Sequence, residues 1–247
     1  MAPREFFEQL ASTQARAIEL ARGGGEAGHR VVARHQTDGL GRDGRSFASP
    51  PGGLYLSVLL GPPPRAAELL SLGVGAYLAR ELRERHGVPV RLKWPNDLVV
   101  AEAGGRMRKL GGIVVDRLTD VRGREVVVAG VGINVAPVPG RLAPELAARS
   151  VGLDELAGAP VALRELEEEV SEATLRAYRT LDQPCGPASV VTLCRELLHG
   201  LGARVAVDGR PSGQLVGLAE DGALRLDDHG LELEVRSGTV SVEEAAP

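Results

Sequence analysis

Long apolar runs are absent from the sequence, and none reaches the ~18–20 residues that a transmembrane helix needs. The N-terminal segment mixes Arg4, Glu5 and Glu8 with two phenylalanines, so it lacks the apolar centre of a secretory signal peptide. Cysteine is also scarce. Cys185 and Cys194 lie nine residues apart without clustered histidines, a spacing that matches no zinc or redox pattern and predicts ordinary buried thiols. We therefore expect a cytoplasmic protein without a membrane segment.

Lysine, asparagine and tryptophan are almost missing, and where they occur they occur together. The chain has two lysines, two asparagines and one tryptophan, which are Lys93, Trp94, Asn96, Lys109 and Asn134. Lysine is a compact point charge and arginine a planar fork, so the two do not replace each other in a tight site. The clustering indicates a chemical role for the stretch from 93 to 134, with chance as the alternative.

The composition excludes several classes of protein. The 247 residues fit one large domain or a medium domain with a small one, and an apolar content of 43% is ordinary for a globular protein with a core. A net charge of −4 shows no overall excess of the basic residues that bind nucleic acid, so DNA is not an expected partner.

The pattern of apolar and turn-forming residues predicts a mixture of helices and strands. Helices are predicted over 3–22, 65–86, 161–182 and 187–200, with Ser12 and Thr13 able to cap a second start inside the first. Strands are predicted over 30–36, 54–60, 88–101, 109–118 and 124–135, turns at 104–105 and 122–123, and loops over 37–53 and 136–150. From about 203, short alternating runs between Asp-Gly and His-Gly turns predict a small all-β barrel. We therefore expect two domains, at 1–200 and 201–247.

A glycine-rich segment, QTDGLGRDGRSFASPPGGLYLS at 36–57, carries the first motif. Its GxGxxG spacing alone is weak evidence of a dinucleotide site, because Ser46 to Pro51 cannot open the helix that a Rossmann motif needs. Arg42 and Arg45 stand among glycines, which allow a close approach of the backbone to a ligand. Guanidinium groups bind carboxylates and phosphates in a bidentate way. The loop therefore suits an anionic ligand, and a flexible surface loop with solvated arginines is the equal alternative.

Three further motifs lie at predicted strands. KWPND at 93–97 places an aromatic face, a rigid proline and two polar side chains at a strand end, although Asn and Asp are also common in purely structural turns. RKLGGIVVD at 108–116 brings a lysine into a strand before two glycines, and VVVAGVGINV at 126–135 is an apolar strand interrupted by two more. Glycine inside a strand indicates that a ligand or another chain segment approaches closely. A solvated lysine beside a bulge is the alternative for the segment 108–116.

In this order, the motifs closely resemble those of the biotin–protein ligase family. That family carries a GRGRxGRxW loop, a KWPND turn, a KxxGI strand and a GxGIN strand, and this chain reads GLGRDGRSF, KWPND, KLGGI and GVGIN. Ser12-Thr13-Gln14 stands where the family has Ser-Thr-Asn, and the C-terminal barrel is also similar, so the resemblance spans essentially the whole chain. The chain departs from the family in Leu40, where arginine is frequent, and in Phe47, where tryptophan is usual.

The resemblance implies an α+β fold, a mixed β-sheet with helices on one side as in class II synthetases, followed by an SH3-like β-barrel. It implies a biotin pocket built from Ser12, Thr13, Gln14, Gln36, Gly39, Leu40, Gly41, Arg42, Ser57, Lys109 and Gly112. It implies adenylate contacts from Arg42, Arg45, Phe47, Trp94, Asn96 and Asn134. Leu40 removes one cation from the loop, whereas Phe47 keeps an aromatic face and Gln14 keeps an amide.

The activity implied by the resemblance has two steps. The carboxylate of biotin attacks ATP to give biotinyl-AMP and pyrophosphate, and biotin then passes to one lysine of a carrier, expected to be the biotin carboxyl carrier protein of an acyl-CoA carboxylase. Because the nucleophile belongs to the substrate, positioning and fixed positive charge supply the catalysis. Lys109 is the candidate for holding the carboxylate and α-phosphate, and Arg42 and Arg45 for clamping phosphate. Mg²⁺ is expected to bridge phosphate oxygens. Asp97 is the candidate for orienting or deprotonating the carrier amine, or it could instead serve the metal.

Several alternatives and partner questions stay open at this point. Some family members carry an N-terminal helix-turn-helix domain and repress transcription; because the motifs begin by Ser12, we expect no such domain and no operator binding. An exposed sheet could pair with a second copy, which leaves a homodimer open. A lipoate–protein ligase is the nearest alternative, although KWPND and GRDGR favour biotin. A non-catalytic regulator should have lost Lys109 or the arginines, and a kinase would need a carboxylate set that we do not find.

Overall fold

A computed structural model describes residues 2–102, 107–137 and 144–242 of the chain, with Pro211 described by its backbone alone. The described residues form two β-sheets and six α-helices. The strands are β1 Arg4–Phe7, β2 Arg30–Ala33, β3 Gly53–Gly61, β4 Arg91–Lys93, β5 Asp97–Ala101, β6 Met107–Thr119, β7 Glu125–Asn134, β8 Arg204–Val207, β9 Arg210–Leu218, β10 Leu224–Asp228, β11 Leu231–Val235 and β12 Val240–Val242. The helices are α1 Thr13–Arg22, α2 Leu70–His86, α3 Pro144–Arg149, α4 Leu153–Ala157, α5 Leu163–Leu181 and α6 Gly186–Leu197.

The first seven strands form one mixed sheet in the order β1-β2-β3-β7-β6-β5-β4. β1 and β2 run parallel, and the other neighbouring pairs are antiparallel. The central strands are covered on both faces, since every residue of β3 and all but the first of β7 are buried. Strands buried on both faces need continuous apolar sequence, and the two most continuous apolar runs, 54–60 and 126–135, lie in β3 and β7 as predicted.

The two faces of this sheet pack against different helices. Val32 and Leu56 belong to the cluster that α2, α5 and α6 cover. Val31 and Leu59 belong to a smaller cluster with α1. Because successive side chains of a strand point to opposite faces, the long helices and α1 lie on opposite sides. The predicted mixed sheet is confirmed. Its long helices lie on one side as predicted, but the short helix α1 covers the other side, which carries the candidate site.

The N-terminal segment differs from the helix predicted over 3–22. Arg4–Phe7 is a strand, and the helix begins only at Thr13. The two adjacent phenylalanines favour a strand, and pairing with β2 satisfies its backbone groups. The predicted cap is present, since the Ser12 hydroxyl oxygen accepts a hydrogen bond from the Ala15 backbone N–H at 3.3 Å.

The strand predicted over 88–101 is two strands joined by the KWPND turn, with a cis Trp94–Pro95 peptide bond. The predicted hairpins are present, since β5 pairs with β6 and β6 pairs with β7. At the second of them, the Asp120 carboxylate accepts hydrogen bonds from the backbone N–H groups of Arg122 and Arg124 and closes the turn. The predicted turn at 104–105 lies outside the described residues.

The loop predicted over 136–150 ends in a short helix. Residues 144–149 form α3, which begins with a proline and has Glu145 in its first turn, both favourable at a helix start. Residues 138–143 lie outside the described residues.

Residues from β8 onward form a second sheet, antiparallel, in the order β11-β10-β9-β8-β12. The Asp208-Gly209 turn has φ values of 50° and 76°, and the His229-Gly230 turn has 54° and 88°. Positive φ at both central residues is what a type I′ hairpin turn requires. The small all-β unit is confirmed and fits an SH3-like domain. We propose that the domain boundary lies between 200 and 201, after α6.

Polar contacts, one of them buried, hold the second sheet against the rest of the molecule. The Trp94 indole N–H donates to the Gly222 carbonyl oxygen at 3.0 Å, and Arg195 Nε donates to the Leu218 carbonyl oxygen at 3.1 Å. Gly222 has a φ of 82°, which favours glycine, and a Cβ there would displace the leucine side chains packed against it, since it would lie 2.7 Å from Leu69 Cδ2. A single apolar cluster therefore runs through both sheets.

None of the helices in the described ranges is both long and apolar enough to cross a membrane. Cys194 is buried as predicted, and burial raises the pKa of its thiol to about 12. The same prediction is wrong for Cys185, which is exposed at the residue that precedes α6.

A buried ion pair joins β1 to α5. The Glu167 side chain is 3% exposed and accepts hydrogen bonds from Arg4 Nε at 2.5 Å and Arg4 Nη2 at 2.7 Å. Burial alone would raise the pKa of this carboxyl. The hydrogen bonds and charge of Arg4, with smaller contributions from Arg164 and Arg30, outweigh burial and hold the pKa below its ordinary value of 4.5.

Replacing Glu167 by glutamine should lower the free energy of unfolding at neutral pH by about 2 kcal/mol, because Arg4 stays partly buried without its counter-ion. Since the folded-state pKa is depressed, the pair stabilises the fold above the ordinary pKa and stops doing so as the pH falls through the folded-state value. Urea titrations of the two proteins should therefore converge in acid. Glu165→Gln, at an exposed position of the same helix, is the matched control. An equal loss in both variants, or a difference that persists in acid, would contradict this account.

Candidate functional site

An open cleft of about 180 Å³ lies on the face of the first sheet that α1 covers. The N-terminal end of α1, the glycine-rich loop, the KWPND turn and the C-terminal sheet border it. The predicted site residues that line it are Thr13, Gln14, Gln36, Leu40, Gly41, Arg42, Arg45, Phe47, Ser57, Trp94, Asn96, Asp97, Lys109 and Gly112. Most of the side chains singled out from separate motifs thus meet in one place.

The glycine-rich loop folds back on itself as a flap beside the cleft. The Phe47 N–H donates to the Gly39 carbonyl oxygen at 2.8 Å, and the Gly41 N–H donates to the Arg45 carbonyl oxygen at 2.7 Å. Asp43 turns the chain at the tip with a φ of 57°. Gly39 has to be glycine, because a Cβ there would lie 2.3 Å from the Phe47 carbonyl oxygen. The loop therefore has a defined shape, which its own backbone hydrogen bonds maintain.

A chain of buried hydrogen bonds fixes the base of this flap. The Ser57 hydroxyl donates to Thr13 Oγ1 at 3.0 Å, and the Thr13 hydroxyl donates to Gln36 Oε1 at 3.1 Å. Gln36 Nε2 donates to Ser49 Oγ at 2.7 Å, and the Ser49 hydroxyl donates to the Phe47 carbonyl oxygen at 2.9 Å. The chain links β3, α1 and the flap, so these polar side chains hold one another in position.

Two glycines of β7 form the floor of the cleft. A Cβ on Gly130 would lie 2.4 Å from Gln14 Oε1, and a Cβ on Gly132 would lie 2.6 Å from Phe47 Cε1. The close approach that the glycines in this strand predict is therefore confirmed. The amide of Gln14 and the ring of Phe47 rest directly on the backbone of the sheet, and Phe47 meets Tyr55 edge-on at a centroid distance of 6.4 Å.

Lys109 and Asp97 form an ion pair in the cleft, with 2.6 Å between Nζ and Oδ1. Both are partly accessible, at 34% and 25% of their side chains. The pairing of β5 with β6 places Asp97 opposite Gly112, and a Cβ on Gly112 would lie 3.4 Å from both Asp97 Oδ1 and Lys109 Nζ. The ammonium also lies 5.4 Å from the centre of the Phe47 ring. A single positive charge is therefore held at a defined and accessible point.

Asn96 and Asn134 use their amide groups to support the backbone. Asn96 Nδ2 donates to the Ile113 carbonyl oxygen at 2.9 Å, and Asn134 Nδ2 donates to the Lys109 carbonyl oxygen at 3.2 Å. Asn96 lines the cleft, whereas Asn134 is not among the described lining residues. The expected contact of Asn134 with an adenylate stays a prediction.

Trp94 lies between the cleft and the C-terminal sheet. Only 4% of it is exposed, and its indole N–H is bound to the Gly222 carbonyl oxygen. It lines the cleft, yet most of its ring is packed into the core. Its expected role as a stacking face for an adenylate stays a prediction, and the structure adds a role in holding the two sheets together.

The two arginines of the flap contact the C-terminal sheet. Arg42 Nη2 donates to the Gly238 carbonyl oxygen at 3.0 Å, and Arg45 Nη1 donates to Thr239 Oγ1 at 3.3 Å. Arg42 also pairs with the neighbouring Asp43 at 3.1 Å. Gly238 and Thr239 line the cleft, and sequence reasoning missed them. Their segment has an ordinary turn composition, and a contact across almost two hundred positions leaves no local pattern.

Sequence reasoning left other lining residues out of the predicted site, namely Ser46, Tyr55, Lys93, Pro95, Ile113, Val114, Gly130, Val131 and Gly132. Lys93 could have been included as one of the two lysines. Burial raises the pKa of Tyr55, so its phenol keeps its proton and donates to the Pro50 carbonyl oxygen at 2.9 Å. Ser12 and Gly39 are not among the described lining residues. Ser12 caps α1 and Gly39 shapes the flap, so both support the lining residues without lining the cleft themselves.

The charges around the cleft favour an anionic ligand. Among the described lining residues, Arg42, Arg45, Lys93 and Lys109 are cationic, and Asp97 is the one carboxylate. This contrasts with the chain as a whole, whose net charge is −4. A cleft that concentrates one sign of charge focuses its field on an incoming ligand. Within the described residues, no group of three His, Cys, Asp or Glu side chains could hold a metal ion.

Comparison with known proteins points to one family. Residues 6–134, more than half of the chain, match the model of the biotin/lipoate A/B protein ligase family. The biotin–[acetyl-CoA-carboxylase] ligase of Mycobacterium tuberculosis is 33% identical over 252 residues, which is 96% of this chain and 85% of that protein. The bifunctional ligase/repressor BirA of Bacillus subtilis is 27% identical over 228 residues, 90% of this chain and 68% of that protein. A biotin protein ligase from Aquifex aeolicus, solved in complex with biotin and ATP, is similar with a TM-score of 0.81 and 28% identity, over 99% of this chain and 100% of that one.

Replacing Trp94 by phenylalanine should lower the free energy of unfolding by about 1–2 kcal/mol, because the Gly222 carbonyl loses its buried donor. Circular dichroism in urea is the appropriate measurement, since the chain has no other tryptophan to report by fluorescence. Tyr178→Phe is a matched control, because it removes an aromatic donor from the carbonyl of Pro62 at a solvent-exposed bond. If both variants lost the same small amount, the bond to Gly222 would not hold the sheets together.

Proposed function

The chain belongs to the biotin/lipoate A/B protein ligase family and is a ligase, and we propose that it joins biotin to a lysine of a carrier protein with ATP. The observation that carries the proposal is the Lys109–Asp97 pair, held in a cationic cleft beside a flap with two arginines. Similarity to a ligase solved with biotin and ATP supports it, because the likeness extends over essentially the whole chain.

In the proposed first step, an oxygen of the biotin carboxylate bonds to the α-phosphorus of ATP, the bond to the bridging oxygen breaks, and pyrophosphate leaves with that electron pair. Two anions have to meet, so the enzyme must neutralise and align them. Lys109 Nζ is confined by Asp97 and the Phe47 ring, so it presents its charge at one place. A charge fixed in advance does not have to reorganise as negative charge develops on the phosphate. We assign Lys109 to the carboxylate and α-phosphate.

The flap supplies the second set of positive charges. In the structure Arg42 and Arg45 donate to a carbonyl and a hydroxyl on the C-terminal sheet, and Arg42 also pairs with the exposed Asp43 carboxylate. A phosphate is a stronger partner, because its hydrogen bonds with guanidinium are charge-assisted and can be bidentate. Phosphate can therefore draw both side chains into the cleft. The flap would then cover the mixed anhydride and protect it from water.

Magnesium would accompany ATP in this proposal. Mg²⁺ usually keeps several waters and binds through one or two carboxylates together with substrate phosphates. Asp97, the one carboxylate among the described lining residues, fits a cation that is held mainly by phosphates and water. The described residues contain no group of three ligating side chains that could hold the ion by themselves. Asp97 is the candidate ligand of the ion, as the alternative to a role with the carrier amine, and the ion would supply neutralisation of the phosphate charge.

In the proposed second step, the amine of a carrier lysine attacks the acyl carbon of biotinyl-AMP, and AMP leaves. The amine has to be neutral to act as a nucleophile. Asp97 is accessible in the cleft, and in the role alternative to metal binding it orients the amine or accepts its proton. The carrier that we propose is the biotin carboxyl carrier protein of an acyl-CoA carboxylase, and the mycobacterial relative, a biotin–[acetyl-CoA-carboxylase] ligase, supports this choice.

A lipoate–protein ligase is the second candidate, because the matching family includes both activities. The names of the relatives favour biotin. The expectations of no operator binding, of a cytoplasmic location and of a homodimer stay predictions.

The deciding experiment is intact mass spectrometry of a biotin carrier domain incubated with the full chain, ATP, Mg²⁺ and either biotin or lipoate. We expect one biotin-sized increment that requires ATP and disappears when the target lysine of the carrier is replaced by arginine. A mass increment with lipoate alone would show that the protein is a lipoate–protein ligase. No increment with either compound would contradict the proposal.

Replacing Lys109 by alanine should slow biotin-dependent pyrophosphate release by about 100-fold or more, because one fixed charge at the transferring phosphate is lost. The fold should persist, since Lys109 is partly exposed and not a core residue. Arg117→Ala, at an exposed position of the same strand, is the control and should retain the normal rate. Normal activity of the Lys109 variant would remove this residue from the mechanism.

Replacing Arg42 by alanine should let the intermediate escape, because the flap loses a side chain that can bridge to the phosphate. Free biotinyl-AMP should then accumulate in a filtrate of the reaction, while the wild-type enzyme retains it. Arg65→Ala, which removes an exposed arginine outside the cleft, is the matched control. If the Arg42 variant released no more intermediate than this control, the flap would not act as a lid.

A further inference from the structure

The inner end of the cleft contains an acceptor that the protein leaves unpaired. Gln14 is 2% exposed, and its Oε1 has no hydrogen-bond partner among the described residues and less than 1 Å² of accessible surface. Leaving a buried acceptor unpaired is unfavourable, and native proteins rarely keep one without a reason. A hydrogen-bond donor that enters with a ligand would provide that reason.

The orientation of this amide is fixed by its other end. Gln14 Nε2 donates to Asp116 Oδ2 at 2.8 Å and to the Val128 carbonyl oxygen at 3.3 Å. A carboxylate and a carbonyl can only accept, so a rotated amide would place its oxygen against two acceptors. Gln14 therefore keeps Nε2 inward and turns Oε1 toward Gly130, which forms part of the cleft floor.

Neighbouring side chains at this end present acceptors as well. The Ser57 hydroxyl gives its hydrogen to Thr13, and the Thr13 hydroxyl gives its hydrogen to Gln36. Ser57 lies opposite Gly130 in the sheet, so the lone pairs of Ser57 and the Gln14 oxygen flank the same floor position. These side chains match a ligand that brings N–H donors, and they offer no hydrogen to a ligand that brings only acceptors.

We infer that Asp116 is a positioning residue, which holds the Gln14 amide so that its oxygen accepts an N–H of the substrate ring. The inference rests on the proposed function and deepens it by assigning a residue through which the site selects a ring that carries N–H donors. A cyclic urea such as that of biotin carries ring N–H donors, whereas the dithiolane ring of lipoate carries none. Asp116 is not among the described residues that line the cleft, so it acts through Gln14.

The register of the sheet explains why Asp116 can do this. Asp116 pairs with Val128, and Val114 pairs with Gly130, so the carboxylate stands one pair further along the same face from the floor glycine. Gly130 leaves an empty space above the backbone, and the amide of Gln14 fills it. The Asp116 carboxylate and the Val128 carbonyl then bind Gln14 Nε2, while Gln14 Oε1 lies next to Gly130.

The test compares biotin with its two mono-N-methyl derivatives, in which one ring N–H is blocked. Isothermal titration calorimetry of the full chain without ATP measures their affinities. Wild-type protein should prefer biotin to at least one of the derivatives by roughly tenfold, the usual value of one hydrogen bond. Asp116→Asn can pair with either orientation of the amide, so it should weaken biotin binding by roughly tenfold and narrow that preference. Asp116→Glu keeps a carboxylate acceptor and should restore part of the preference for biotin over the methyl derivatives.

A double-mutant cycle separates positioning from general support. Gln14→Met keeps the volume of the side chain and removes the acceptor, and adding Asp116→Asn to it should then change biotin affinity no further. Arg117→Ala, next in the chain and on the other face, is the control and should bind like the wild type.

Two failures are distinguishable. If Asp116→Asn weakened biotin and both methyl derivatives equally, or weakened biotin just as much in the Gln14→Met background, Asp116 would be merely structural and the inference would be overturned. If the wild-type chain neither bound biotin nor labelled a carrier domain, the proposed function itself would fail, and the inference with it.

Discussion

The cleft depends on two missing side chains in the central strand β7. A Cβ at Gly130 or Gly132 would collide with the amide of Gln14 or the ring of Phe47. Only glycine therefore lets α1 and the flap rest on the backbone of the sheet. β7 is hydrogen-bonded to β3 on one side and to β6 on the other, which restricts its movement. The side chains of Gln14 and Phe47 are therefore held at a fixed distance from the sheet. The hydrogen-bond chain from Ser57 to the flap can form only because both elements come this close.

Positive charge in the cleft is stabilised before any ligand arrives. Lys109 pairs with Asp97, and Arg42 and Arg45 donate to a carbonyl and a hydroxyl of the C-terminal sheet. Arg42 also pairs with the exposed carboxylate of Asp43. These partners differ in strength. Asp97 and Asp43 carry a full charge, but the Arg42–Asp43 pair is exposed and weakened by solvent, and the carbonyl and hydroxyl are neutral. Under the proposed function, an entering phosphate would therefore compete more easily for the arginines than for the lysine. The arginines are suited to move with the ligand, and the lysine is suited to stay as a fixed reference point for the chemistry.

Short-range patterns in the sequence predicted much of this site, and long-range contacts were beyond them. Glycines inside an apolar strand indicate close packing without any knowledge of the partner, so the floor at Gly130 was predictable, whereas the identity of its neighbour Gln14 was not. Arg4–Phe7 resembled the start of a helix, because its strand character depends on pairing with β2. Thr239 gave no signal, since its contact with Arg45 spans 194 positions.

The C-terminal sheet takes part in the site through two independent attachments. Trp94 binds the Gly222 carbonyl behind the KWPND turn, and the arginines of the flap bind the segment before β12. The first attachment is buried in the shared apolar core, whereas the second is at least partly accessible to solvent. A ligand that draws the arginines inward would therefore break only the weaker attachment. The sheet would stay docked through Trp94 while the flap moves, so the acceptors that the arginines leave remain in place for their return after product release.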